Sequence, residues 1–96
     1  MEEITITVRG LEFPALAAGP ADGPLIMMLH GLPRNRWEWH RQIPVLAGLG
    51  YRVVAPDLRG FSAGARPEGV DSYHVDEYVA DALAIADLGA REQRPI

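Results

Sequence analysis

Leu25-Ile26-Met27-Met28-Leu29, followed at once by His30-Gly31-Leu32-Pro33, is the stretch on which the fold turns. Five apolar side chains in succession leave no wet face, so a strand made of them must be covered on both sides, as in a parallel sheet flanked by helices. Glycine and proline then break the extended run and turn the chain toward a helix. Upstream, Ile4-Thr5-Ile6-Thr7-Val8 alternates apolar and polar residues, and beyond Arg9-Gly10 a second extended stretch covers residues 11–17, which predicts an antiparallel hairpin. Gly19-Pro20-Ala21-Asp22-Gly23-Pro24 is turn chemistry leading into the apolar run.

Downstream, Trp39, Ile43, Leu46 and Ala47 stand near helical spacing within residues 37–49, with Pro44 forced to kink that helix or to begin a second turn. Gly48 and Gly50 end it, and Tyr51-Arg52-Val53-Val54-Ala55 returns as a second short buried strand. Residues 57–72 are rich in Gly, Pro, Ser and Arg and read as a long irregular loop. Val75, Tyr78, Val79, Ala82, Leu83 and Ala86 then recur at helical intervals, and Gly89 marks the expected stop. The grammar is α/β: a hairpin and turn over residues 1–24, a parallel β-α-β-α unit over 25–89 with residues 25–29 central, and an irregular tail over 90–96. Two parallel strands and a hairpin make an incomplete sheet, so one partial domain is expected.

The 96 residues suit a single small domain. Nine Lys and Arg against thirteen Asp and Glu give a net charge of −4, which leaves no basic surface for a phosphate backbone and argues against nucleic acid as a partner. With 48% hydrophobic and 23% charged residues the chain has enough apolar surface to pack rather than stay disordered. The absence of cysteine removes disulfides, thiolate metal sites and thiol nucleophiles. The acidic start Met1-Glu2-Glu3 lacks a signal-peptide layout and the longest apolar run is too short to span a bilayer, so a cytoplasmic protein without membrane partners is expected.

The turn after the apolar strand lies where open parallel sheets bind ligands. Gly31 allows close backbone approach and Pro33 fixes the turn, so the Leu32 amide is a candidate oxyanion-hole donor, with a turn capped by His30 as the plain alternative. His30 reads as an orienting hydrogen-bond donor rather than a general base. Gly60-Phe61-Ser62-Ala63-Gly64 matches the G-x-S-x-G nucleophile string, but the strand ends too early and Ala65-Arg66-Pro67-Glu68-Gly69 cannot start a helix cleanly, so Ser62 is expected not to be catalytic. Asp57 is read as accepting backbone hydrogen bonds in its turn. Trp37 and Trp39 line a pocket or anchor a helix, and need not do the same thing. Asp76, Glu77 and Asp81 read as a solvated helix face. No metal-ligand cluster and no phosphate loop is visible, so no metal and no cofactor is expected.

His30-Gly31-Leu32-Pro33, Trp37-x-Trp39, Gln42 and the run from Gly50 to Gly60 together resemble the N-terminal part of the α/β-hydrolase superfamily, and the His-Gly-x-Pro form is most similar to its epoxide hydrolase and haloalkane or haloacid dehalogenase branch. The resemblance implies that Leu32 supplies one oxyanion-hole amide, with His30, Gly31, Pro33 and Trp37 shaping the substrate site. It further implies a small organic substrate attacked by a nucleophile, Asp in this branch, with a histidine base and acid partner that all lie beyond residue 96. A serine esterase or a C–C bond hydrolase of the same fold is the alternative. Residues 91–96 depart from the family, where an apolar strand is expected, so a frameshift, an early stop or a fragment boundary is expected there. In that case the isolated chain is inactive and prone to self-association through open strand edges.

Overall fold

A computed structural model describes residues 1–30 and 35–93 of the chain. Strands β1 (Glu2–Val8) and β2 (Leu11–Ala18) form the predicted hairpin, in register from Glu2 opposite Ala17 to Val8 opposite Leu11. The turn between them puts both Arg9 and Gly10 at positive φ, the geometry that matches the twist of paired strands. Strand β3 (Leu25–Met27) runs parallel to β4 (Arg52–Pro56), and β4 in turn pairs antiparallel with β2. The sheet order is β1-β2-β4-β3.

Of the four described strands β2 and β4 are interior and β3 lies at an edge, so the expectation that residues 25–29 lie centrally does not hold within this partial sheet. Among the described residues β3 pairs only with β4, and its three residues are half-buried rather than enclosed. The strand is also shorter than residues 25–29. After Met28 donates to the Val54 carbonyl at 2.9 Å the chain leaves the sheet, leaving Leu29 exposed and turning His30 inward.

The two-residue period of the strands sorts the core into two layers. Phe13, Ala15 and Ala17 of β2 and Val54 of β4 face one side, where Ile85 packs on them. Leu16, Val53 and Ala55 face the other, against Ile43. Ile43 belongs to α1 (Gln42–Gly48) and Ile85 to α2 (Val75–Gln93), so a helix covers each face of the sheet. Pro44 falls in the first turn of α1, where backbone N–H groups have no intrahelical partner in any case, so the helix accommodates it. The helical segment around the tryptophans is separate, a 3-10 turn over Arg36–Trp39.

Helix α2 does not stop at Gly89 but continues to Gln93. One glycine costs about 1 kcal/mol in a helix interior, and the Ala, Arg, Glu and Gln that follow are good helix formers, so propagation outweighs the break. The expected irregular tail is thus helical in its first four residues, 90–93. The long loop carries two short 3-10 turns, Ala63–Ala65 and Val70–Tyr73. No helix among the described residues is long and apolar enough to cross a membrane.

Candidate active-site rim

Because β3 and β4 are parallel, both end at the same rim of the sheet, and the segments leaving them meet there. The Leu58 amide donates to Nε2 of His30 at 2.8 Å, and the imidazole is 4% exposed. His30 also stands edge-on to Phe61, with ring centroids 4.8 Å apart and an interplanar angle of 79°. Since Nε2 accepts, the ring proton of this neutral imidazole sits on Nδ1. His30, read from the sequence as an orienting hydrogen-bond donor, accepts at Nε2.

Asp57, 2% exposed, makes a second joint between the same two loops. Its Oδ1 accepts from the Arg36 amide and its Oδ2 from Arg36 Nη1, both at 2.7 Å. The expectation that Asp57 satisfies backbone donors holds in kind, but the donor lies across the rim in the 3-10 turn and not within its own turn. Asn35 caps that turn by accepting from the Trp37 amide at 3.0 Å. His30 and Arg36 thus fix the chain on either side of Gly31, Leu32 and Pro33. Those three candidate site residues lie outside the described residues.

The two tryptophans divide as their spacing allows. Trp39 packs with Leu16, Ile43, Val53 and Ala55, whereas Trp37 is 43% exposed, with the Arg36 guanidinium 5.6 Å from its ring centre.

Arg59 completes the tripeptide after β4. It is 5% exposed and forks onto Asp81 of α2, with Nε to Oδ2 at 2.8 Å and Nη2 to Oδ1 at 2.7 Å, while Nη1 donates to the Ser72 carbonyl at 3.1 Å. Arg9 reaches the same Oδ1 from the hairpin turn at 2.8 Å. The hydrogen bond to Asp81 outweighs desolvation and raises both guanidiniums above their ordinary value. Asp81 is itself 5% exposed, which corrects its reading as part of a solvated face. Glu77 is half-buried and ion-paired with Arg9, and only Asp76 of the three is well exposed. Arg36, Phe61 and the Leu58 amide carried no pattern signal, because each acts on a residue distant in sequence.

Ser62 lacks the elbow geometry. Its backbone is extended at φ −149° and ψ 156°, it follows a loop rather than a strand, and a three-residue 3-10 turn rather than a helix comes after it. Its Oγ is buried and has no hydrogen-bond partner among the described residues, so none of them activates it as a base.

A profile of the alpha/beta hydrolase fold family matches residues 24–93, which contain β3, α1, β4, the rim loops and all of α2. The chain belongs to the α/β-hydrolase family. Epoxide hydrolase B of Mycobacterium tuberculosis is 40% identical over 90 residues, covering 92% of this chain and 25% of that protein. The AB hydrolase superfamily protein YfhM of Bacillus subtilis is 42% identical over 80 residues, covering 83% of this chain and 28% of its own length. Among solved structures, epoxide hydrolase A from Mycobacterium thermoresistibile superposes with a TM-score of 0.86 at 31% identity, over 93% of this chain and 28% of that one. An epoxide hydrolase from Vigna radiata gives 0.82 at 38% identity, over 90% and 28%. This α/β-hydrolase chain is epoxide hydrolase-like, and it spans about a quarter of the length of the relatives it matches, with 25–28% of each of these four covered.

Proposed function

We propose that the chain is the N-terminal portion of an epoxide hydrolase-type enzyme and contributes one half of its oxyanion hole, the Leu32 amide. The observation that supports the reading is the double joint at the rim, His30 to Leu58 and Arg36 to Asp57, which fixes the chain on both sides of Leu32. A backbone donor stabilises a developing oxyanion only if it is already in place when charge appears. In the proposed reaction a carboxylate outside this chain opens the epoxide to an ester, and a histidine-activated water then attacks the ester carbonyl. Charge grows on that carbonyl oxygen, and the Leu32 amide would meet it there. His30 serves by bracing the turn. Gly31 and Pro33 shape it, and the exposed Trp37 borders the substrate's approach. The setting is cytoplasmic, no nucleic acid or membrane is engaged, and neither metal nor cofactor takes part. The isolated chain has no nucleophile and self-associates through the β3 edge.

The test is a chimera in which the matched segment of the Mycobacterium thermoresistibile epoxide hydrolase A is replaced by this chain. The chimera is expected to convert epoxides to diols, and the 96-residue chain alone to turn over neither epoxides, haloalkanes nor esters. A folded chimera without epoxide turnover, or one active only on esters, would overturn the reading. Turnover by the chain alone would overturn the assignment of the nucleophile beyond residue 96.

A further inference from the structure

We infer that Asp81, on the helix α2 and remote from the turn itself, is a positioning residue for the active-site rim, acting through Arg59. The inference rests on the epoxide hydrolase-type reading above. Asp57, Leu58 and Arg59 are consecutive, and each grips a different part of the molecule. Asp57 holds Arg36 through two 2.7 Å bonds, the Leu58 amide holds His30 at 2.8 Å, and Arg59 holds Asp81 through a fork of 2.7 and 2.8 Å. The first two bonds run to the residues that flank the proposed donor. Only the third runs down into α2, and it is the most buried, with side-chain exposures of 6% and 7%.

Two further bonds make the Arg59 backbone and side chain rigid together. Tyr78, also on α2, donates its hydroxyl to the Arg59 carbonyl at 3.2 Å, and Arg59 Nη1 donates to Ser72 at 3.1 Å. With its carbonyl and both ends of its guanidinium held, Arg59 has no freedom to swing the peptide on its N-terminal side. That peptide consists of the Leu58 carbonyl and the Arg59 N–H, so holding it fixes the residue whose own N–H, one peptide further back, braces His30. A planar guanidinium fork fixes direction as well as distance, which a lysine ammonium cannot do.

Arg9 supplies the control. It binds the same Asp81 Oδ1 at 2.8 Å but sits on the hairpin turn and does not lead to the rim. Removing it weakens the packing of hairpin on helix and leaves the Arg59 fork in place.

The experiment has two readouts. Hydrogen exchange by mass spectrometry, run on the 96-residue chain at low micromolar concentration, follows peptides containing Leu58 and peptides containing Met28. Asp81→Asn and Arg59→Lys are expected to speed exchange at Leu58 about tenfold or more while Met28, bonded to Val54, changes by less than about twofold. Arg9→Met is expected to leave Leu58 unchanged. In the chimera, Arg59→Lys is expected to lower kcat about tenfold with KM within about twofold, because the lost interaction acts only in the transition state, and Arg9→Met to leave both alone. A purely structural role would lower the melting temperature of all three variants without this pattern. Equal Leu58 exchange in Asp81→Asn and the unaltered chain would overturn the inference. So would an Arg9→Met chimera that loses as much kcat as Arg59→Lys. A wild-type chimera without turnover would instead overturn the parentage on which the catalytic part rests, while the exchange result still decides whether Asp81 holds Leu58.

Discussion

The Leu58 N–H donates to His30 Nε2 at 2.8 Å across 28 residues of sequence, and this one bond ties the exit of β3 to the exit of β4. Its loss should be measurable. His30→Phe keeps an aromatic ring against Phe61 but leaves a part-buried amide without an acceptor, which costs about 1–3 kcal/mol. Urea denaturation of the variant should show a fall of that size with an unchanged slope, and a variant as stable as the parent would mean that the bond contributes nothing.

Ser62→Ala should be harmless despite the Gly-x-Ser-x-Gly string. The Oγ it removes is buried and unpaired, so stability should stay level or rise slightly. Turnover of the chimera should change by less than about tenfold, under about 1.4 kcal/mol of barrier. A loss of about a thousandfold would show that Ser62 takes part in the chemistry.

Two glycines should respond oppositely to alanine. Gly19 has φ +94° and a Cβ there would strike the Tyr51 carbonyl, so Gly19→Ala should cost about 3 kcal/mol or more. Gly48 closes α1 with open space around it, and Gly48→Ala should stabilise by up to about 1 kcal/mol. Thermal unfolding of both variants checks the pair, and melting temperatures moving in the same direction would contradict it.

The Arg59–Asp81 clamp should not weaken on the alkaline side within reach of ordinary buffers. Both Arg59 and Arg9 titrate above their ordinary value, chiefly through the hydrogen bond to Asp81. A cation whose folded pKa is raised contributes stability that is fully present below the unfolded pKa and lost only as pH climbs through the folded one. The stability difference between the parent and Arg59→Met should therefore stay flat from about pH 7 to about pH 10. A difference that shrinks within that window would contradict the assignment.

The layering was legible in the sequence because it depends on period alone. Phe13, Ala15 and Ala17 alternate with Leu16 as a sheet with two covered faces requires, and the apolar run from Leu25 identifies a parallel strand. Strand order was not legible. An apolar run declares that a strand is buried, but its place in the sheet depends on which partner strands exist, and here β4 has two and β3 one. The rim was readable as a place but not as a mechanism. His30 and Asp57 each stood out, yet their partners Leu58 and Arg36 lie 28 and 21 residues away, as Arg59 lies 22 from Asp81, and no local pattern encodes such pairings. Asp81 looked solvated for the same reason, since helical spacing cannot reveal that two arginines converge on it from outside the helix.

On the proposed function the backbone N–H of Leu32, and not any side chain of residues 31–33, meets the developing oxyanion. Comparing Leu32→Ala with Leu32→Pro in the epoxide hydrolase chimera tests it most directly, because both shorten the side chain and only proline removes the amide hydrogen. With melting temperatures matched, kcat should stay within about threefold for alanine and fall about a hundredfold or more for proline, the scale of losing one oxyanion donor. Equal kcat values for the two variants would contradict the account.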